Sequence, residues 1–222
     1  MKHLYRCRYV HCIHLDCHLL LVDGMSDEAL TLFLITLPLT IESWKTYDHR
    51  PCIIKSLSIE GGSYTKEMMN VYMDCIRVIP SLHSMSLFPK PHSKGMSDAL
   101  FISLCDCLAD GCFPQLDTFL FPYHYIHDRG VVAFASLFLQ NHLMRCDAFD
   151  FSYCGIHKKG IRALSALFQQ QSLTASIQSI KLEGVSLHGN LGVFFIQSIG
   201  REHRPFLREL NLESTDNQTC LL

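Results

Sequence analysis

The chain has 222 residues, 48% of them hydrophobic, and carries 19 basic against 21 acidic side chains for a net charge of −2. That composition supplies a sizeable core and excludes wholesale disorder, while the near-neutral balance gives no global pull toward nucleic acid or an anionic membrane. Eleven cysteines, an odd number at uneven spacing, exclude a complete disulfide framework, and the polar N-terminus MKHLYRCRYVHCIHLDCHLLL lacks a secretory apolar segment, so the expected compartment is the reducing cytoplasm.

Residues 1–52 read as a degenerate N-terminal repeat or cap. Cys17, Leu20 and Val22 start a worn strand motif, with Ile35 thirteen residues on in a helix from Asp27 to Leu37. Ser26 is its expected N-cap, and Asp27 and Glu28 suit the positive end of the helix dipole. The apolar run Ala29–Leu39 holds Pro38 and falls short of the roughly 20 residues that span a bilayer. Cys7, Cys12, His14, Cys17 and His18 are close enough to suggest zinc, but two close ligand pairs split by a longer stretch are missing. Soft, partly buried side chains are the better reading, and whether they bind metal is left open.

From residue 53 to 222 the sequence repeats. Apolar residues in the pattern h-x-x-h-x-h occur at Ile54/Leu57/Ile59, Leu82/Met85/Leu87, Leu116/Phe119/Phe121, Cys146/Phe149/Phe151, Ile177/Ile180/Leu182 and Leu207/Leu210/Leu212, with starts 28, 34, 30, 31 and 30 residues apart. Thirteen residues past the last strand position stand Tyr72, Leu100, Phe134, Leu164 and Phe195, followed four later by Ile76, Leu104, Phe138, Phe168 and Ile199. An i, i+4 apolar pair marks one helix face. The pattern therefore predicts five strand–helix units of constant strand-to-helix spacing and a sixth, truncated strand. Length variation is expected after each helix, near Gly111, Pro114 and Pro205.

Ile126, Ile156 and Leu187 recur in the turn five residues past the strand, and Gly130 and Gly160 recur at the helix start, so two copies read IHDRGVVAFASLF and IHKKGIRALSALF. These segments resemble leucine-rich repeats of the ribonuclease-inhibitor-like type, with pattern LxxLxLxxxxIxxxGxxxLxxxL, over about three quarters of the chain. The resemblance implies an α/β solenoid: a horseshoe arc with a parallel β-sheet on the concave side and helices on the convex side. The Asn or Cys that many such repeats place three residues past the last strand leucine is nearly absent. Those positions hold Gly62, Lys90, His124, Cys154, Val185 and Thr215, of which Cys154 alone fits the family pattern. Met68, Met96 and Leu191 replace the helix-start glycine, so looser helix entries are expected there.

No GxSxG, GxxxxGK[ST] or GxGxxG motif occurs, and no cysteine has an activating context, so neither catalysis nor a cofactor is expected. Cys105, Cys107 and Cys112, the first two straddling a helix end, read as packing residues, and Gly61, Gly62, Gly184, Gly189 and Gly192 as turn glycines. Arg129, in a strand-to-helix loop like Lys158 and Lys159, reads as a solvated cation rather than a GTPase-activating finger.

Function is sought instead on the face opposite the helices. Period-2 alternation directs there Ser56, Ser58, Glu60; Ser84, Ser86, Phe88; Thr118, Leu120, Pro122; Ala148, Asp150, Ser152; Ser179, Lys181, Glu183; and Glu209, Asn211, Glu213. Five acids meet one base, Lys181, and four of those acids fall in the last three strands. Phe88, Leu120 and Pro122 form an expected apolar patch, with Tyr123 and Tyr125 on its rim. The expectation is a non-catalytic protein-interaction scaffold whose partner presents a basic patch, binding through Glu60, Phe88, Leu120, Asp150, Lys181, Glu183, Glu209, Asn211 and Glu213. The alternatives are a regulatory or substrate-recognition repeat region of a larger multidomain protein, such as an immune-type receptor or a ubiquitin-ligase receptor, and a GTPase activator. The sixth strand is followed by ESTDNQTCLL without a capping pattern, so a fragment of a longer repeat protein, or self-association through that edge, is also expected.

Overall fold

A computed structural model describes residues 19–22, 26–47, 54–62, 64–79, 81–93, 95–110, 113, 115–140, 145–170, 174–187, 189–200 and 206–213. The expected N-terminal cysteine–histidine cluster, Cys112 and the tail beyond Glu213 lie outside these residues.

Strands and helices alternate: β1 (Leu19–Val22), α1 (Asp27–Tyr47), β2 (Ser56–Gly62), α2 (Lys66–Arg77), β3 (Ser84–Pro89), α3 (Asp98–Ala109), β4 (Thr118–Leu120), α4 (Asp128–Leu139), β5 (Ala148–Asp150), α5 (Lys158–Phe168), β6 (Ser179–Lys181), α6 (Asn190–Ile199) and β7 (Glu209–Asn211). The strands form one seven-stranded parallel sheet whose order is the chain order. The fold class is α/β, as a parallel pair needs a crossover that a helix supplies. Successive helices pack on one another as the strands do.

Register keeps the apolar positions in rows. Leu20, Leu57, Met85, Phe119, Phe149, Ile180 and Leu210 are successive partners. From Leu57 to Ile180 these side chains have no accessible surface, whereas Leu210 on the edge strand β7 is exposed. The entries to β3, β4, β5 and β6 repeat one device: a single carbonyl accepts the N–H groups of two consecutive residues of the next unit. His83 and Ser84 donate to Lys55 O, Asp117 and Thr118 to His83 O, Asp147 and Ala148 to Asp117 O, and Gln178 and Ser179 to Asp147 O. The core between sheet and helices is aromatic at its centre, where Phe134 of α4 packs against the rings of Phe101, Phe119, Phe138, Phe149 and Phe151.

Strand-to-helix spacing is less uniform than the sequence pattern implies. Lys66, Asp128 and Lys158 begin their helices seven residues after Ile59, Phe121 and Phe151, but Asp98 begins α3 eleven residues after Leu87. The four additional residues of this unit therefore precede its helix, not follow it. Leu104 and Leu108, not Leu100 and Leu104, take the inward places of Phe134 and Phe138, and Leu100 is only half-buried. An insertion of about one helical turn preserves an i, i+4 match while shifting it. In the first unit the helix starts early, five residues after Val22, and runs through Pro38 to Tyr47 instead of ending at Leu37. Ile35 accordingly points outward at 52% exposure, while Leu30, Leu34, Leu37 and Ile41 are buried. The expected cap is present: Ser26 Oγ accepts from Ala29 N at 3.2 Å. Cys105 and Cys107 both lie inside α3 and are buried. Gly192 is a helix residue rather than a turn residue. A Cβ there would stand 2.3 Å from Leu187 O, so it provides the close approach expected one position earlier, at Leu191.

Candidate interaction site

The face of the sheet opposite the described helices carries three rows of side chains, in which Ser58, Ser86 and Ser152 are buried. One runs Ser56, Ser84, Thr118, Ala148, Ser179, Glu209; the next runs Ser58, Ser86, Leu120, Asp150, Lys181, Asn211. Beyond them Glu60 partners Phe88, and Ser152, Glu183 and Glu213 follow one another through backbone bonds of the adjoining turns. Phe88 and Leu120 are half-buried, as an apolar patch requires, but Pro122 is buried and takes no part in it.

The carboxylates differ in what they can still do. Glu209 accepts from Ser179 Oγ at 2.7 Å and pairs with Lys181 Nζ at 3.0 Å, and these two contacts hold its carboxyl below the usual range. Glu209 and Lys181 thus answer each other. Asp150 accepts from Ser152 N at 2.8 Å, and Glu183 accepts from the Tyr153 hydroxyl and from Asn211 Nδ2 at 3.4 Å. These donors are neutral; Asp150 stands next to Lys181 in the sheet, and Glu183 next to the exposed Glu213. The hydrogen bond to Glu183 pushes the Tyr153 phenol up to about 12.

Two side chains stitch the turns at the rim. Cys154, at the expected ladder position, donates from Sγ to Phe121 O at 3.2 Å. His124, which the sequence pattern discounts, does the same one unit earlier. Met96 N donates to its Nδ1 at 2.8 Å, so Nε2 carries the proton and donates to Leu87 O at 2.9 Å. Burial lowers the His124 pKa to about 4 against the opposing bond to Leu87, and burial raises the Cys154 thiol to about 12. Both groups are neutral near pH 7 and tie neighbouring turns together.

Immediately before these ties, Tyr123 and Tyr153 hold left-handed backbone at φ 63° and 56°. Each conformation costs a side-chain-bearing residue roughly 1–2 kcal/mol. It is imposed by Tyr123 N donating to Ser152 O at 2.8 Å and Tyr153 N to Glu183 O at 2.6 Å. The result is two stacked rings, 4.8 Å between centroids and 5° apart, exposed by 55% and 36%. Tyr153 was not apparent as a site residue from the sequence, although it stands two residues past Phe151 as Tyr123 does past Phe121. A cavity of about 460 Å³ separates these rings from the Phe88–Ser93 segment, the loop that holds the four additional residues.

Among the described residues no group of three or more His, Cys, Asp or Glu side chains is arranged to hold a metal ion, and no helix is long and apolar enough to cross a membrane. No protein-family model matches the chain, and no curated protein matches it.

Proposed function

We propose that this chain is a leucine-rich-repeat protein of the ribonuclease-inhibitor-like type: an arc of stacked strand–helix units serving as a non-catalytic, cytoplasmic scaffold for a basic protein partner. The repeat of about thirty residues, the sheet order that follows the chain, and the thiol and imidazole ties at the ladder position support the architecture. The observation that carries the interaction reading is the run of carboxylates Asp150, Glu183 and Glu213 on three neighbouring units, none of them in an ion pair among the described residues, beside a Glu209 already answered by Lys181. Oppositely charged surfaces steer encounter and fix register, and such association weakens with salt.

Proximity labelling in cells with the full chain and with a Glu183→Lys, Glu213→Lys variant tests this. Glu213 is exposed and Glu183 half-buried; thermal melting first checks that the variant keeps the fold, and it is expected to lose partners that the wild type labels. An unchanged set of labelled proteins overturns the reading.

A further inference from the structure

Helix α1 is apolar on two opposite sides, and only one of them belongs to the core. Leu30, Leu34, Leu37 and Ile41, spaced four, three and four residues apart, are buried in it. Two residues before each of these stand Glu28, Leu32, Ile35 and Leu39, and Glu42 continues the series three residues on. Two residues turn a helix by about 200°, so this second row faces away from the core. Leu32, Ile35 and Leu39 are exposed by 65%, 52% and 69%, and both glutamates are exposed as well. The neighbouring helix is different: the exposed residues of α2 are Lys66, Glu67, Asn70, Asp74 and Arg77, all polar. A helix that is apolar on opposite sides suits a place between two others.

The spacing selects a helix as the cover. Alternating steps of four and three residues make a seam that a second helix fills, knob into hole, whereas an extended segment repeats every two residues. The ends of the seam select the charge. Glu28 and Glu42 are in no ion pair among the described residues, and they lie two heptads apart, about 21 Å along the axis. A second copy of α1 matches poorly. Ile35 is midway between the two glutamates, so antiparallel self-pairing sets Glu28 against Glu42 of the copy, and parallel pairing sets each against its own equivalent. An anionic lipid surface repels the same two carboxylates. A helix with an apolar heptad seam and a cation at each end answers both the middle and the ends.

We propose that the outward seam of α1 is a docking site for an amphipathic helix of a partner protein, one that carries Lys or Arg at both ends of its apolar row, two heptads apart. The site lies on the helix side of the molecule and does not rest on the reading of the carboxylates across the sheet.

Two fluorescein-labelled helical peptides with the same leucine seam, one ended by arginines and the other by glutamates, test it by anisotropy titration on the full chain. The arginine-ended peptide should bind about tenfold more tightly, by a margin that shrinks with salt. Glu28→Arg, Glu42→Arg should invert that order, and Leu32→Gln, Leu39→Gln should weaken both peptides about tenfold. All four positions are exposed, and thermal melts check each variant. Should a double variant melt early, Glu42→Arg and Leu39→Gln alone carry the comparison. No binding, an order unchanged by the charge swap, or loss of the peptides on Glu183→Lys, Glu213→Lys overturns the proposal. A dimer of the full chain, or its sedimentation with phosphatidylserine vesicles, that Leu32→Gln, Leu39→Gln abolishes would give the seam to a second copy or to a membrane and equally overturn it.

Discussion

The carboxylate of Asp128, the first residue of α4, lies 2.8 Å from the backbone nitrogen of Gly160 in α5. It also accepts from His157 N at 2.8 Å, so the N-terminus of α5 is capped by the helix before it, and the N-cap residue His157 adds no side-chain bond of its own. Asp98 of α3 repeats the arrangement on α4, with His127 N at 2.7 Å and Gly130 N at 2.9 Å. Lys158 holds the corresponding place in α5, and the N-cap residue of α6, Gly189, brings no capping side chain of its own.

Gly160→Ala should destabilise the protein, although alanine is worth about 1 kcal/mol more than glycine in a helix. The added Cβ would stand 2.8 Å from Ile156 Cγ2 and 2.9 Å from Asp128 Oδ1, displacing the cap. Asp128→Ala alone should cost about 0.5–2 kcal/mol. Denaturant titration of both single variants and the double variant is the check. The cost of Gly160→Ala should shrink in the Asp128→Ala background, since the two positions share one contact.

Replacing residues of α3 separates its two possible alignments with the other helices. Leu104→Ala should cost about 2–5 kcal/mol because the side chain has no accessible surface, and Phe134→Ala about 3–5 kcal/mol. Leu100→Ala should cost well under the Leu104 variant, because Leu100 is half-buried. Equal losses at Leu100 and Leu104 would contradict the insertion before α3.

Acid should weaken the fold through His124. Its folded pKa is lowered to about 4 from 6.5, so the unfolded chain binds a proton that the folded chain refuses. The contribution is fully present above about pH 6.5 and is lost as pH falls toward 4, amounting to about 2 kcal/mol by pH 5. Unfolding free energies of the wild type and of His124→Asn, measured at pH 7.5 and 5, should differ in pH slope by that amount. Parallel slopes would remove His124 as the cause.

The native protein should resist alkylation at Cys75, Cys105, Cys107, Cys146 and Cys154, all of which are buried. Burial raises the thiols of Cys105, Cys146 and Cys154, leaving little thiolate to react. Mass spectrometry after brief iodoacetamide treatment, with and without denaturant, reads this directly.

Strand positions were legible in the sequence because their period of two survives every substitution in the repeat. Leu57, Met85, Phe119, Phe149 and Ile180 fall on one row as their spacing implies. Helix register in the third unit was hidden, since a shift of about one turn exchanges one apolar pair for another and leaves Leu104 in both. Ile35 misled for a related reason: α1 is apolar on more than one side, so Leu32, Ile35 and Leu39 are exposed next to a buried Leu34. The ladder role of His124 was obscured by residue type, as an imidazole donates to a turn carbonyl from a longer reach than the asparagine or cysteine of the pattern. The tyrosine pair left a weak trace, two tyrosines thirty residues apart, but its stacking depends on backbone that no side-chain pattern records.

The long β3–α3 loop leaves the pairing at the strand starts untouched, the register shifting only where Pro89 meets Gly62: Ser84 still partners Ser56 before it and Thr118 after it. An extra turn of chain is therefore carried as a graft, felt by the surface but not by the lattice of strands beneath. The shape of this rim and the register of the strands are thus written in separate stretches of the molecule. A different loop spliced between Leu87 and Asp98 would reshape the rim and leave the strand starts in step.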